Sequence, residues 1–142
     1  MEKLRTINDV KAKPPNTLVI TWSEGGQVEL DLSHVLCQQA YAPLQDAALF
    51  TQAEVGDWGH SIVWPGEIEL GADSLWRLTL EARGRTDTLA FITWRARHGL
   101  SLSATAQALG ISRRMVAYYS SGEREVPRTV LLACKGWEVE AA

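Results

Sequence analysis

Cysteine is scarce in this chain: two residues in 142, Cys37 and Cys134, far apart and in apolar company. That excludes a disulfide scaffold or a cysteine-built metal site, and buried reduced thiols are expected. Three histidines, His34, His60 and His98, are equally scattered and make no metal-ligand spacing. No stretch approaches the roughly 20 apolar residues of a membrane helix, since the charge-free residues 32–45 include His34 and several other polar side chains. The start of the chain is charged and lacks the apolar run of a secretory signal, so a cytoplasmic protein is expected. No repeat or low-complexity segment is present, and no serine or cysteine stands in a recognisable nucleophile setting. Neither enzymatic activity nor a cofactor or metal is expected.

Basic residues are also in deficit, 14 against 17 acidic, for a net charge of −3. As an average this argues against a nucleic-acid binder, but the average conceals a change of sign. Residues 1–80 hold five basic and eleven acidic residues, a balance of −6, whereas residues 81–142 hold nine and six, a balance of +3.

Hydropathy patterning changes at the same place. Leu18, Ile20 and Trp22, then Val28, Leu30 and Leu32, alternate on either side of Ser23-Glu24-Gly25-Gly26, which predicts a β-hairpin with one wet face. Lys13-Pro14-Pro15-Asn16 bounds it upstream and makes residues 7–12 a first strand. Ile62 and Trp64 alternate before Pro65-Gly66, as do Glu67-Ile68-Glu69-Leu70 after it. Short helices are expected near residues 44–50 and over 73–82, the latter with Leu75, Leu78 and Ala82 on its inner face. The fold class is α+β: an acidic domain at 1–82 with a small antiparallel β-sheet and short helices, a linker at 83–87, and an all-α domain at 88–142. Thr86 or Asp87 is expected to cap the first helix of the latter.

Residues 91–127 are the informative run. Phe91 and Trp94 share a helical face, and Gly99 stops that helix. Ser101 caps a short second helix ending at Gly110; Ser112 caps a third, with Val116 and Tyr119 inward, ending at Ser121-Gly122. Arg113, Arg114, Ala117 and Tyr118 are left on the outward face. Two arginines at a helix N-terminus suit major-groove reading; the plainer interpretation is a solvated helix end. After Pro127, the stripe Val130, Leu131, Cys134 and Trp137 predicts a closing helix packed on the three before it.

Leu100-Ser101, Ala106, Leu109-Gly110-Ile111-Ser112, Val116 and Ser121-Gly122 together resemble the helix-turn-helix of the phage Cro/repressor-type (XRE-like) family over about forty residues, and the fold expected is lambda-repressor-like. The resemblance implies that Arg113, Arg114, Ala117 and Tyr118 face bases, with Ser112 opening the recognition helix. It implies phosphate contacts for Ser121 and around Ser101; Arg124 and Arg128 join them by position and charge. Three residues depart from the family pattern: Thr105 replaces a leucine, Leu102 a glutamine, and Ser120 the glutamate that pairs with the arginine matched by Arg95. Arg95 is therefore expected to turn to Glu123, Glu125 or solvent, and its loss to cost less than about 1 kcal/mol.

The first half resembles a widespread small bacterial domain family of unknown function, through Asp31-Leu32-Ser33, Ala42-Pro43-Leu44, Phe50, Asp57-Trp58-Gly59-His60 and Ile62-Val63-Trp64-Pro65. Some members are fused to repressor-type domains and others are encoded beside toxins. The His60 region is expected to be a turn with packed aromatics rather than a ligand pocket, and Glu67 and Glu69 the wet face of a strand rather than an acid–base pair. Four of the six tryptophans lie in this half; most should be core, and an exposed one would mark a protein-partner or dimer surface. Two functions stay open: a sequence-specific regulator binding double-stranded DNA as a homodimer, or an antitoxin whose N-terminal domain holds a toxin while the C-terminal domain autoregulates its promoter.

Overall fold

Alternation at residues 17–32 becomes a three-stranded antiparallel sheet in the computed structural model, which describes residues 5–142. Its strands are β1 (Ile7–Lys13), β2 (Thr17–Trp22) and β3 (Gln27–Asp31), with β2 central. Leu18 pairs with Leu30 and Ile20 with Val28, while Ala12 and Val10 flank them from β1. Leu18, Ile20 and Trp22 are fully buried, each such side chain contributing about 1.5–3 kcal/mol of transfer free energy. The β2–β3 turn needs Gly25 at φ +98°.

A single sheet was the expectation, and the chain makes two. The second holds β4 (Glu54–Val55), β5 (Ser61–Trp64) and β6 (Ile68–Gly71) in that order. Between the sheets run α1 (Ser33–Leu36), a 3-10 segment at Gln39–Gln45 and α2 (Ala47–Phe50), which bury Leu36, Leu44 and Phe50. Alternation tells which side chains turn inward, not which strand edges pair, so the division was not visible in it. Then α3 (Ala72–Ala82) closes this unit with Ala72, Leu75, Trp76, Thr79 and Leu80. Ala82, expected on that face, is exposed, and Leu78 is half-buried. Trp22 Nε1 donates to Thr79 Oγ1 at 3.1 Å, and Thr79 donates to the Leu75 carbonyl at 2.8 Å, so the buried indole is satisfied. Trp64 likewise donates to the Phe50 carbonyl at 3.0 Å.

Two expectations for this unit are corrected. Cys37 is exposed rather than buried. Trp58 does not pack: it is 87% exposed, at φ 61° in the 3-10 turn Asp57–Gly59. The turn is held through its backbone, Gly59 lying against the Ile7 main chain where no side chain fits.

The chain divides into two units after Ala82. The second comprises α4 (Thr86–Arg97), α5 (Leu102–Leu109), α6 (Arg113–Ser121) and α7 (Arg128–Ala141). Phe91, Trp94, Val116, Tyr119, Val126 and Cys134 form its core, covered by Leu102, Ala106, Ile111, Val130, Leu131 and Trp137 among others. Burial, with Glu138 adding to it, pushes the Cys134 thiol up to about 11, so it is not a nucleophile at neutral pH.

Thr86 and Asp87, placed in the linker by sequence, are the first residues of α4, and neither caps it. Asp87 instead bridges the unit, accepting from the Val126 amide at 2.8 Å and from Arg85 Nε at 3.3 Å. Arg85 also donates to the Gly122 carbonyl at 3.0 Å and to Thr88 Oγ1 at 3.0 Å. Partial burial raises the Asp87 pKa, but the Val126 amide, Arg85 and the Thr88 amide outweigh it and leave it below the ordinary value. Its stabilisation is therefore complete above the unfolded-state pKa and disappears as pH falls through the lower folded value. Asp87→Asn should cost about 1–2 kcal/mol at pH 7, a difference from wild type that shrinks in urea melts below about pH 4.

Candidate nucleic-acid interface

Gly110, at φ +69°, ends α5, and the Ile111 amide returns to the Ala106 carbonyl at 3.1 Å. Only residues 110–112 separate α5 from α6. Ser101 and Ser112 are N-caps as expected, accepting from the Ala104 amide at 3.0 Å and the Met115 amide at 3.1 Å. Each hydroxyl accepts in its cap, so its proton remains to donate outward.

Burial of Val116 and Tyr119 orients α6. Its opposite side exposes Arg113 and Arg114, with Ala117 and Tyr118 half-buried beside them. Arg114 Nε donates to the Tyr118 hydroxyl at 2.8 Å, one helical turn away. The guanidinium carbons of Arg114 and Arg124 stand 5.5 and 5.0 Å from the centroid of the Tyr118 ring. Among the described residues no hydrogen bond or ion pair restrains the Arg113 or Arg128 side chains. Ser121 Oγ donates to the Tyr118 carbonyl at 3.2 Å and accepts from the Glu123 amide at 3.3 Å, tying down the loop that carries Arg124. Contacts thus join Arg114, Tyr118, Ser121 and Arg124; Ser101 lies at the start of α5 and Arg128 opens α7.

The three departures from the family pattern take on a physical meaning here. Arg95 does not turn to Glu123, Glu125 or solvent as expected; it is buried. Its Nε donates to Thr105 Oγ1 at 3.1 Å, Nη1 to Ser120 Oγ at 2.8 Å and Nη2 to the Leu100 carbonyl at 3.2 Å. Thr105 is fully buried and also donates to the Ser101 carbonyl at 2.7 Å. Leu102 packs on the core. On the far side, Glu138 accepts from Arg97 at 2.6 Å and pairs with His98 at 3.2 Å, which joins the end of α4 to α7. Sequence reasoning misses the roles of Arg85 and Asp87, whose Gly122 and Val126 partners lie 37 and 39 positions away. It misses the Arg95 network because it looks for a carboxylate partner where the Ser120 and Thr105 hydroxyls and the Leu100 carbonyl accept.

In the first unit a shallow groove is lined by Thr51, Gln52, Glu54, Val63 and Trp64, with one carboxylate and no histidine. Among the described residues no group of three His, Cys, Asp or Glu is placed to hold a metal, and no helix is long and apolar enough to cross a membrane.

By architecture this is a two-unit α+β protein, a sheet-built N-terminal unit followed by four helices that display a cationic helix face. Residues 7–80 match the family described as a protein of unknown function, DUF2442, and the chain belongs to that family. No curated protein matches the sequence. Among solved structures, the chain is similar to a "putative DNA binding protein" of Nitrosomonas europaea, with 36% identity and a TM-score of 0.75 over 96% of this chain and 88% of that one.

Proposed function

We propose that the protein is a sequence-specific, DNA-binding transcription regulator of Cro/repressor-like helix-turn-helix type. In this reading α6 enters the major groove with α5 behind it. The observation that carries it is the α6 face itself: Arg113 and Arg114 exposed on the first turn of a capped helix, beside Tyr118 and Arg124. The likeness to the Nitrosomonas protein, whose coverage includes this helical unit, supports the same reading. Arg113, Arg114, Ala117 and Tyr118 face bases. Ser101, Ser112, Arg124 and Arg128 meet phosphates, and Ser121 anchors the loop between them. One module of this size reads few base pairs, so a cytoplasmic homodimer on a two-fold operator completes the proposal. With few phosphate contacts, the salt dependence should be shallow.

Selection on random duplex DNA tests this directly, and wild-type protein should enrich a motif. Arg113→Ala and Arg114→Ala should each cost about 1–3 kcal/mol of affinity on that motif. Absence of any enriched motif would overturn the reading.

One observation favours a second role, in which the first unit holds a protein partner, as an antitoxin would. Trp58 is exposed in a left-handed conformation that disfavours bulky side chains and is anchored by the backbone behind it. Trp58→Gly should raise stability by about 1 kcal/mol through relief of that conformation. If the residue serves a partner, co-purification with a co-expressed neighbouring gene product should fall; unchanged co-purification excludes that use.

A further inference from the structure

Arg113 and Arg114 are adjacent in sequence and chemically identical, yet the structure treats them differently. Arg113 is unrestrained among the described residues. Arg114 is held by the Tyr118 hydroxyl, which accepts from its Nε at 2.8 Å, and by the ring beneath, whose centroid is 5.5 Å from its guanidinium carbon. Tyr118 is itself well fixed. Its carbonyl accepts from the Arg124 amide at 3.3 Å and from Ser121 Oγ at 3.2 Å, and the Arg124 guanidinium lies 5.0 Å from its ring centroid.

A guanidinium carries five N–H donors in one plane. With Nε–H committed to Tyr118, the end bearing Nη1 and Nη2 is left, two donors side by side. That end matches O6 and N7 of guanine, the bidentate pair by which arginine distinguishes this base in the major groove. Fixing the fork before binding also removes much of the side-chain entropy that a free arginine loses on contact. An unrestrained arginine suits phosphates, which lie at every step and demand no single orientation.

We infer that Tyr118 is a positioning residue: it presents Arg114 as a reader of one guanine, while Arg113 contributes mainly sequence-independent affinity. The inference rests on the DNA-binding reading and changes two parts of it: Tyr118 acts through Arg114 rather than on a base of its own, and Arg113 serves phosphates rather than a base. Tyr118→Phe removes the hydroxyl and keeps the ring, so it separates positioning from packing.

The experiment uses the full chain. A motif is selected on random duplexes by the wild type, and affinities are measured for that duplex, for each single base-pair change in it, and for an unrelated duplex. The proteins compared are wild type, Tyr118→Phe, Arg114→Ala and the double variant. Arg114→Ala should abolish discrimination at one G·C position. Tyr118→Phe should reduce discrimination at that same position by about tenfold, within the range one bidentate pair commands. Its melting temperature should stay close to wild type. In the Arg114→Ala background the phenylalanine change should have no further effect. Arg113→Ala should lower affinity for all duplexes alike and flatten the salt slope.

Three results overturn the inference and leave DNA binding standing. Tyr118→Phe could leave discrimination intact, could alter a different position from Arg114→Ala, or could retain its effect when Arg114 is absent. A wild-type protein that selects no motif instead removes the functional reading on which the inference rests.

Discussion

Replacing Arg95 with alanine is expected to lower the unfolding free energy of the helical unit by about 3 kcal/mol, several times what an exposed arginine would cost. Arg95 is 6% exposed, and its guanidinium donates to Thr105, Ser120 and the Leu100 carbonyl. Truncation leaves those three acceptors facing a cavity, and hydrogen bonds from a charged donor contribute more than neutral ones. Lysine should rescue little, because one ammonium cannot span three acceptors arranged around a planar fork. Methionine refills the volume without serving the acceptors and should fall between alanine and wild type. Urea melts of the three variants, followed by amide exchange in α4 and α5, check the order. A loss below about 1 kcal/mol for alanine would mean that the network is solvent-relaxed and energetically idle. The consequence reaches function, because Arg95 links α4 to α5 and α6, the helix displaying Arg113 and Arg114.

Gly59→Ala is expected to damage the first unit by about 3 kcal/mol or more, through two separable causes. Gly59 sits at φ +73°, and a Cβ there would stand 2.6 Å from the Ile7 carbonyl oxygen and 3.0 Å from the Ile7 nitrogen. Those are main-chain atoms of β1, in register with Trp22 on β2, so they cannot swing aside as a side-chain end would. Gly66 is the control: its φ is +88°, with nothing within 4 Å of a built Cβ. Gly66→Ala should therefore show the left-handed cost alone, about 1 kcal/mol. The difference between the two variants, read from denaturant melts and from amide exchange along β1 and β2, isolates the close approach. Equal losses would show that the contact with Ile7 yields easily.

The helix ends were the most legible part of this chain. Ser101, Gly110, Ser112 and Gly122 mark them because capping and left-handed backbone are local properties, completed within one turn of the residue concerned. Strand positions were legible for a similar reason, since alternation states which side chains face inward. The division into two sheets was not, because edge pairing depends on how the segment between β3 and β4 folds over the core. Trp58 shows the same limit. An aromatic residue in a turn looks like core, and only the left-handed backbone at Trp58 and Gly59 turns it to solvent. At the candidate site the outward face of α6 could be read from Val116 and Tyr119 alone. Which arginine is free and which is held could not.

By itself, then, the sequence determined the two-part organisation, the change of charge sign between the parts, most helix and strand positions and the face of α6 turned outward. These follow from spacing within a few residues and from side-chain chemistry. Tertiary structure decided the polar partnerships: Arg95 with Ser120 across 25 positions, Arg85 with Gly122 across 37, and Asp87 with Val126 across 39. The physical reason is that a buried charge must find whatever acceptors the packed helices bring within hydrogen-bond reach. That selection is made by the shape of the assembled core, which no local spacing encodes.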